Sequence, residues 1–168
     1  MSEESTVGEQ HDTYAKLTGL LDEHGAAYRI IEHEEQGATE AVSALRGNTL
    51  AQAAKCIVVM VKIGKKEKRY VLAVVPGDRR VDLGAVKALL GGSYAGFATP
   101  EAAERLARSV SGTILPFSFD PELELVVDPG LLVHEEIFFN AARLDRSLAL
   151  RTADYVAIAE PRTADIAG

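Results

Sequence analysis

Residues 56–61 (CIVVMV) form an unbroken apolar run without polar alternation, the pattern of a strand buried on both faces. Lys55 stands at its entrance, where a lysine either snorkels to water or is aimed into a cleft. The charged turn IGKKEKR separates this run from a second one over residues 70–75. So short a link makes the two an antiparallel hairpin, ended by Pro76 and Gly77. Upstream, Tyr14, Leu17, Leu20 and Leu21 fall at helical spacing behind Asp12 as a cap, with Gly25 as the stop. A short strand over 28–31 follows, then a helix capped by Thr39 and ending before Gly47, and a further helical turn from Thr49.

Downstream, Asp82 caps a helix carrying Leu83, Val86, Leu89 and Leu90, which Gly91 stops. A strand over 94–98 leads into a helix with Thr99 as cap, Pro100 at its first position and Glu101 in its first turn. Strands are predicted over 123–127, 137–140 and 147–150, and a last helix runs from a Thr152 cap through Tyr155 and Ile158. This irregular interleaving, with one forced antiparallel pair, predicts an α+β fold: a mixed, mainly antiparallel sheet core surrounded by helices. Residues 1–11 lack apolar periodicity and are expected to be disordered. Residues 12–158 form the domain, and residues 159–168, broken by Pro161, are expected to trail as a tail.

Composition narrows the function. At 168 residues and 47% apolar content, the chain can build one substantial core without staples. No apolar run approaches the ~20 residues that span a bilayer, and the acidic N-terminus is unlike a signal peptide. A single cysteine fits a reducing compartment, so a cytoplasmic location without membrane attachment is expected. The net charge of −7 argues against broad, nonspecific nucleic-acid binding and against DNA as a partner. One local exception is the cluster Lys62, Lys65, Lys66, Lys68 and Arg69, which reads either as a solvated hairpin tip or as a phosphate contact.

Candidate chemistry is sparse. The chain has no phosphate loop, no GxGxxG, no GxSxG and no HExxH, and its four histidines are scattered. Only His33, beside Glu34 and Glu35, has acidic neighbours, and a solvated cluster accounts for them, so no metal is expected. Cys56 lies inside a buried strand, where a thiol is ordinary packing. The informative segment is Gly112-Thr113-Ile114-Leu115-Pro116. A glycine lets backbone approach a ligand and a proline stiffens the turn, so such a loop can offer peptide N–H groups to a carbonyl or an oxyanion.

The order AAKCIVVMV, VVPGDRRVDL, TPEAAERLA, GTILPF, VVD and IFFNAARLDRSLAL resembles the YbaK-like family of aminoacyl-tRNA deacylases, which includes the prolyl-tRNA synthetase editing domain. The resemblance covers residues 12–158. It implies a pocket that receives the aminoacylated end of tRNA and hydrolyses the ester, most often alanine or cysteine on the proline tRNA, as a freestanding factor acting in trans. Lys55 matches the family's functional lysine, and Gly112 matches the glycine of the GxxxP loop that holds the ester. Thr113, Ile114, Leu115 and Pro116 complete that loop, while Asp128 and Asn140 match positions near the pocket. The partners implied are aminoacyl-tRNA and an aminoacyl-tRNA synthetase, with no metal or organic cofactor. The chain departs from the family at Cys56, Ser118 and Ala142, where threonine, glycine and glycine are common. The competing reading is a non-catalytic module on the same fold that captures a small molecule, a nucleotide or a synthetase.

Overall fold

The computed structural model describes residues 13–168. The expectations of disorder over 1–11 and of a cap at Asp12 lie outside the described residues. The expected single sheet is divided into two. Strands β1 (Tyr28–Glu32), β6 (Glu136–Asn140) and β7 (Arg146–Arg151) form an antiparallel sheet in the order β1-β7-β6. Strands β2 (Ala54–Ile63), β3 (Glu67–Pro76), β4 (Tyr94–Phe97), β5 (Leu123–Val127) and β8 (Arg162–Thr163) form a mixed one in the order β4-β2-β3-β5-β8. The β2–β3 hairpin is antiparallel, as the short turn demands, and β3 runs parallel to β5. One isolated bridge, Ala53 to Phe138, joins the sheets beside the start of β2.

The five-stranded sheet is covered on both faces, which is why residues 56–61 show no alternation. Val58 on one face enters the main core with Leu72, Val74, Leu115, Phe117 and Phe139. Val59 and Val61 on the other pack with Val86 of α3 (Leu83–Leu90) and with Ile166. Helix α1 (Ser2–Glu23), described from Thr13 on, inserts Leu17 and Leu21 into the main core. Asp82 and Thr99 cap α3 and α4 (Pro100–Ala107) as expected, each accepting a backbone N–H from three residues on. Thr39 and Thr152 do not cap: they are the first residues of α2 (Thr39–Arg46) and α5 (Thr152–Ala159), whose caps are Ala38 and Arg151.

The segment expected as a trailing tail is built into the fold instead. Strand β8 extends the mixed sheet, Ile166 is fully buried, and the Ile166 carbonyl accepts from the Asp82 N–H at 2.7 Å. Pro161 had suggested a break, but a strand of two residues lacks the length for a periodic signal.

Two details position the loop over 112–117. The Phe117 ring meets Phe139 and Tyr155 edge-on, at centroid distances of 6.2 and 5.2 Å. The buried Tyr155 hydroxyl donates to the Pro116 carbonyl at 2.7 Å. Replacing Tyr155 by Phe leaves that carbonyl unsatisfied and should cost about 1–3 kcal/mol. Thermal denaturation should show a Tm lowered by several degrees, and an unchanged Tm would contradict the tie. Ala142 sits in the left-handed region at φ 61°, a position that favours glycine. Ala142→Gly should therefore hold or raise stability by up to ~1 kcal/mol in chemical denaturation, the opposite of the usual sign for an alanine-to-glycine change.

Candidate functional site

Four pieces of the chain enclose a cavity of about 200 Å³. Helix α2 supplies Thr39, Val42 and Arg46, spaced three and four residues apart and so aligned on one face. The start of β2 supplies residues 54–57, the loop after α4 supplies Gly112 and Ile114, and the end of β6 supplies Phe139 and Asn140. Gly37 completes the lining. This explains why β2 begins half-buried: its first residues face the cavity before Val58 and Val59 enter the cores.

Lys55 lines this cavity, and its Nζ donates to the Arg79 carbonyl at 2.9 Å. No carboxylate pairs with it among the described residues. Cys56 lines the same cavity beside it, and burial pushes its thiol far above the ordinary range, which keeps it protonated and inert.

The GxxxP loop divides its residues. Gly112 and Ile114 reach the cavity. Thr113, buried, turns its hydroxyl to the Val110 carbonyl at 2.7 Å and to the Ser109 hydroxyl. Leu115 belongs to the main core, and Pro116 is held by Tyr155. The glycine requirement at 112 has two physical sources. Its φ is +87°, and an added Cβ would stand 3.0 Å from the Cα of Gly37. Two backbones therefore touch here, and their contact shapes the cavity wall.

Asn140 also reaches the cavity, with its side chain engaged all round. Its Nδ2 donates to the carbonyls of Gln36 and Arg143 at 2.8 and 3.2 Å. Its Oδ1 accepts from Arg46 Nη1 at 3.3 Å and from the Ser147 hydroxyl at 3.4 Å. The His33 ring closes the network, with Nε2 against Ser147 Oγ and Nδ1 against the Glu34 carbonyl, both at 2.7 Å. Sequence reasoning passed over Arg46 and Thr39. The available signal was their helical spacing with Val42, which places a cation on the same face as two short side chains.

Asp128 lies outside the cavity lining. It is buried and accepts backbone N–H groups from Gly130 at 2.9 Å, Ile166 at 3.0 Å and Ala167 at 3.1 Å. Ala167 and Gly168 in turn offer their carbonyls to the Arg79 guanidinium, both at 3.1 Å. The Arg79 carbonyl holds Lys55. Asp128 is thus joined to Lys55 by way of Ala167 and Arg79.

At the far end of the β2–β3 hairpin, Lys65, Lys66 and Lys68 are exposed, while Arg69 is taken up by Glu124 in a two-bond contact of 2.6 and 2.9 Å. Lys62 lies over the exposed Tyr94 ring at 5.4 Å.

Similarity to known proteins agrees with this arrangement. Residues 33–158 match the family described as the aminoacyl-tRNA editing domain. The chain is 44% identical over 150 residues to the Multifunctional Ser/Thr-tRNA deacylase ProXp-y of Escherichia coli K12, covering 89% of each chain. Among solved structures, it superposes on hypothetical protein APE2540 with a TM-score of 0.81 at 21% identity, covering 91% of this chain and 99% of that one. A candidate trans-editing enzyme for prolyl tRNA synthetase gives 0.76 at 22% identity, covering 93% and 97%. At these identities the two structures speak for the fold alone.

Asp128→Ala should leave three backbone N–H groups, those of Gly130, Ile166 and Ala167, without this acceptor and cost roughly 2–4 kcal/mol. If the segment over 164–168 steadies Lys55, the variant should also turn over more slowly than wild type at a temperature where both are folded. Equal turnover would confine Asp128 to stability.

Proposed function

The chain belongs to the aminoacyl-tRNA editing-domain family, and on that premise we propose that it removes serine or threonine wrongly attached to a tRNA, acting in trans to the synthetase. The observation that carries the reading is the meeting of Lys55, Gly112 and Asn140 in one small cavity, three residues drawn from separate parts of the chain. The reaction is hydrolysis of an aminoacyl ester. Water adds through oxygen to the ester carbonyl carbon, the bond from that carbon to the ribose oxygen breaks, one water proton passes to the ribose oxygen and the other to solvent, and the amino acid leaves as a carboxylate. An aminoacyl ester is already activated, so positioning and carbonyl polarisation supply most of what is needed.

Lys55, whose one bonded acceptor among the described residues is a neutral carbonyl, is placed to hold the terminal nucleotide or the aminoacyl group. Gly112 brings backbone to the ester, with Ile114 and Asn140 beside it. Thr113, Leu115, Pro116 and Asp128 support these residues from behind. At about 200 Å³, the cavity lies below the ~300–1,000 Å³ typical of drug-sized ligands and suits one small amino acid. Serine and threonine are preferred to alanine or cysteine on the proline tRNA because the curated relative is named for them and because Thr39 adds a hydroxyl to the lining. The exposed lysines of the hairpin tip suit the tRNA phosphates, with a salt-dependent contribution to affinity. A synthetase partner and the cytoplasm accord with this role.

The test is hydrolysis of a panel of mischarged tRNAs carrying serine, threonine, alanine or cysteine, with Lys55→Ala beside wild type. Serine and threonine esters should be cleared fastest, and Lys55→Ala should lose at least ~100-fold in kcat/KM while keeping its fold. Silence of the wild type across the panel would favour the non-catalytic module, and full activity of a folded Lys55→Ala would remove the lysine from the mechanism.

A further inference from the structure

Arg46 is the most unusual charge in the cavity wall. Its guanidinium is held only by neutral oxygens: Nε donates to Asn48 Oδ1 at 2.8 Å, and Nη1 donates to Ser147 Oγ at 3.1 Å and to Asn140 Oδ1 at 3.3 Å. Nη2 donates to Ser43 Oγ at 3.3 Å. No ion pair of Arg46 is found among the described residues. Desolvation alone lowers its pKa to about 10, without an opposing charge, so the group is still a cation at neutral pH. Burying a cation beside neutral dipoles carries a desolvation cost that a carboxylate partner would ordinarily offset. Of the five guanidinium N–H groups, four have acceptors, and the fifth, on Nη2, is left on a residue that lines the cavity.

The rest of the lining sharpens this. It holds two cations, Lys55 and Arg46, and no acidic side chain, in a protein of net charge −7. Such a cavity is selective for negative charge. Lys55 makes its bond at an exposed position, whereas the bonds of Arg46 are part-buried and brace it against β6 and β7.

Building on the deacylase reading, we propose that Arg46 is the oxyanion subsite of this cavity, receiving the carbonyl oxygen of the ester as it becomes negative and retaining it in the product carboxylate. The ester carbonyl is neutral in the ground state, carries a full charge in the tetrahedral intermediate, and shares a charge in the released amino acid. A fixed, prepaired cation therefore binds the later species more strongly than the substrate, the condition for accelerating the step. Asn48, Ser43, Asn140 and Ser147 are positioning residues that hold the guanidinium in place. The same contact predicts that the free amino acid is a competitive ligand of the resting enzyme.

Two measurements test this. The first follows the Arg46 Nε–H resonance of the wild-type protein by NMR while L-serine or AMP is added. L-serine should move it in a saturable way and AMP should not. A shift with AMP alone would reassign the cation to the terminal phosphate, and no shift with either would remove the subsite; both outcomes overturn the proposal. The second compares Arg46→Met and Arg46→Lys in deacylation. Arg46→Met should lose ~100-fold in kcat with KM within about threefold, and Arg46→Lys should recover part of the loss. A rise in KM at unchanged kcat would overturn the assignment. If Arg46→Met fails to fold, Arg46→Lys and the wild-type titration still decide the matter. A wild type that binds L-serine at Arg46 but hydrolyses no ester would leave the subsite standing and sink the deacylase reading instead.

Discussion

Burial of both faces of the five-stranded sheet is the constraint on which the rest of the molecule depends. Strand β2 can be apolar throughout its middle only because α1 and the three-stranded sheet cover one face while α3 and the C-terminal segment cover the other. The covering ends at residues 54–57, and there the strand turns from core into cavity wall. Lys55 is tolerated because it falls at this boundary. Three or four residues further along, at Val58 or Val59, its ammonium would lie in an apolar core, at a cost of several kcal/mol. The site is thus the place where the packing of the sheet runs out.

The walls opposite β2 are made by close backbone approach and by a polar network. Gly37 against Gly112 brings two loops within van der Waals contact, a distance no larger residue allows. Asn140 then fastens the first of these loops through the Gln36 carbonyl, and shares Arg46 and Ser147 with the helix α2 side. Asn140 Nδ2, Asn140 Oδ1 and Ser147 Oγ each have more than one partner, so the members of this network should couple rather than add when substituted. Rigidity of this kind is what a site needs when its lining holds no carboxylate and no imidazole.

Much of this was legible in the sequence, and the parts that were not have identifiable causes. The hairpin followed from two apolar runs joined by a short charged turn, and the caps at Asp82 and Thr99 followed from residue type and spacing. Lys55 and Gly112 stood out in the sequence because an entrance lysine and a punctuated apolar loop are both local patterns, and both line the one cavity. The division into two sheets was not legible, since strand partners separated by a hundred residues leave no local mark, as Tyr28 and Leu150 show. The ordered C-terminal segment was missed for a similar reason: Ile166 is a lone apolar residue whose burial depends on Asp128, far away in the chain. Asp128 was expected near the pocket, but it serves the backbone of that segment. Arg46 was missed because an arginine in the last turn of a helix has an ordinary explanation in the helix dipole.

An all-cationic lining also bears on selectivity. The substrate end of a tRNA carries phosphate charge on one side of the ester and an amino group on the other. Two uncompensated cations favour the phosphate and the developing oxyanion, and disfavour a protonated amine in the same space. Side-chain choice must then be made by what remains of the lining, namely Thr39, Val42, Ile57, Ile114 and Phe139. Apolar walls of this kind discriminate by size, at about 1–3 kcal/mol per methylene, and reject an added hydroxyl only weakly. A cavity that excludes bulk while holding the ester by its charge should accept several small amino acids.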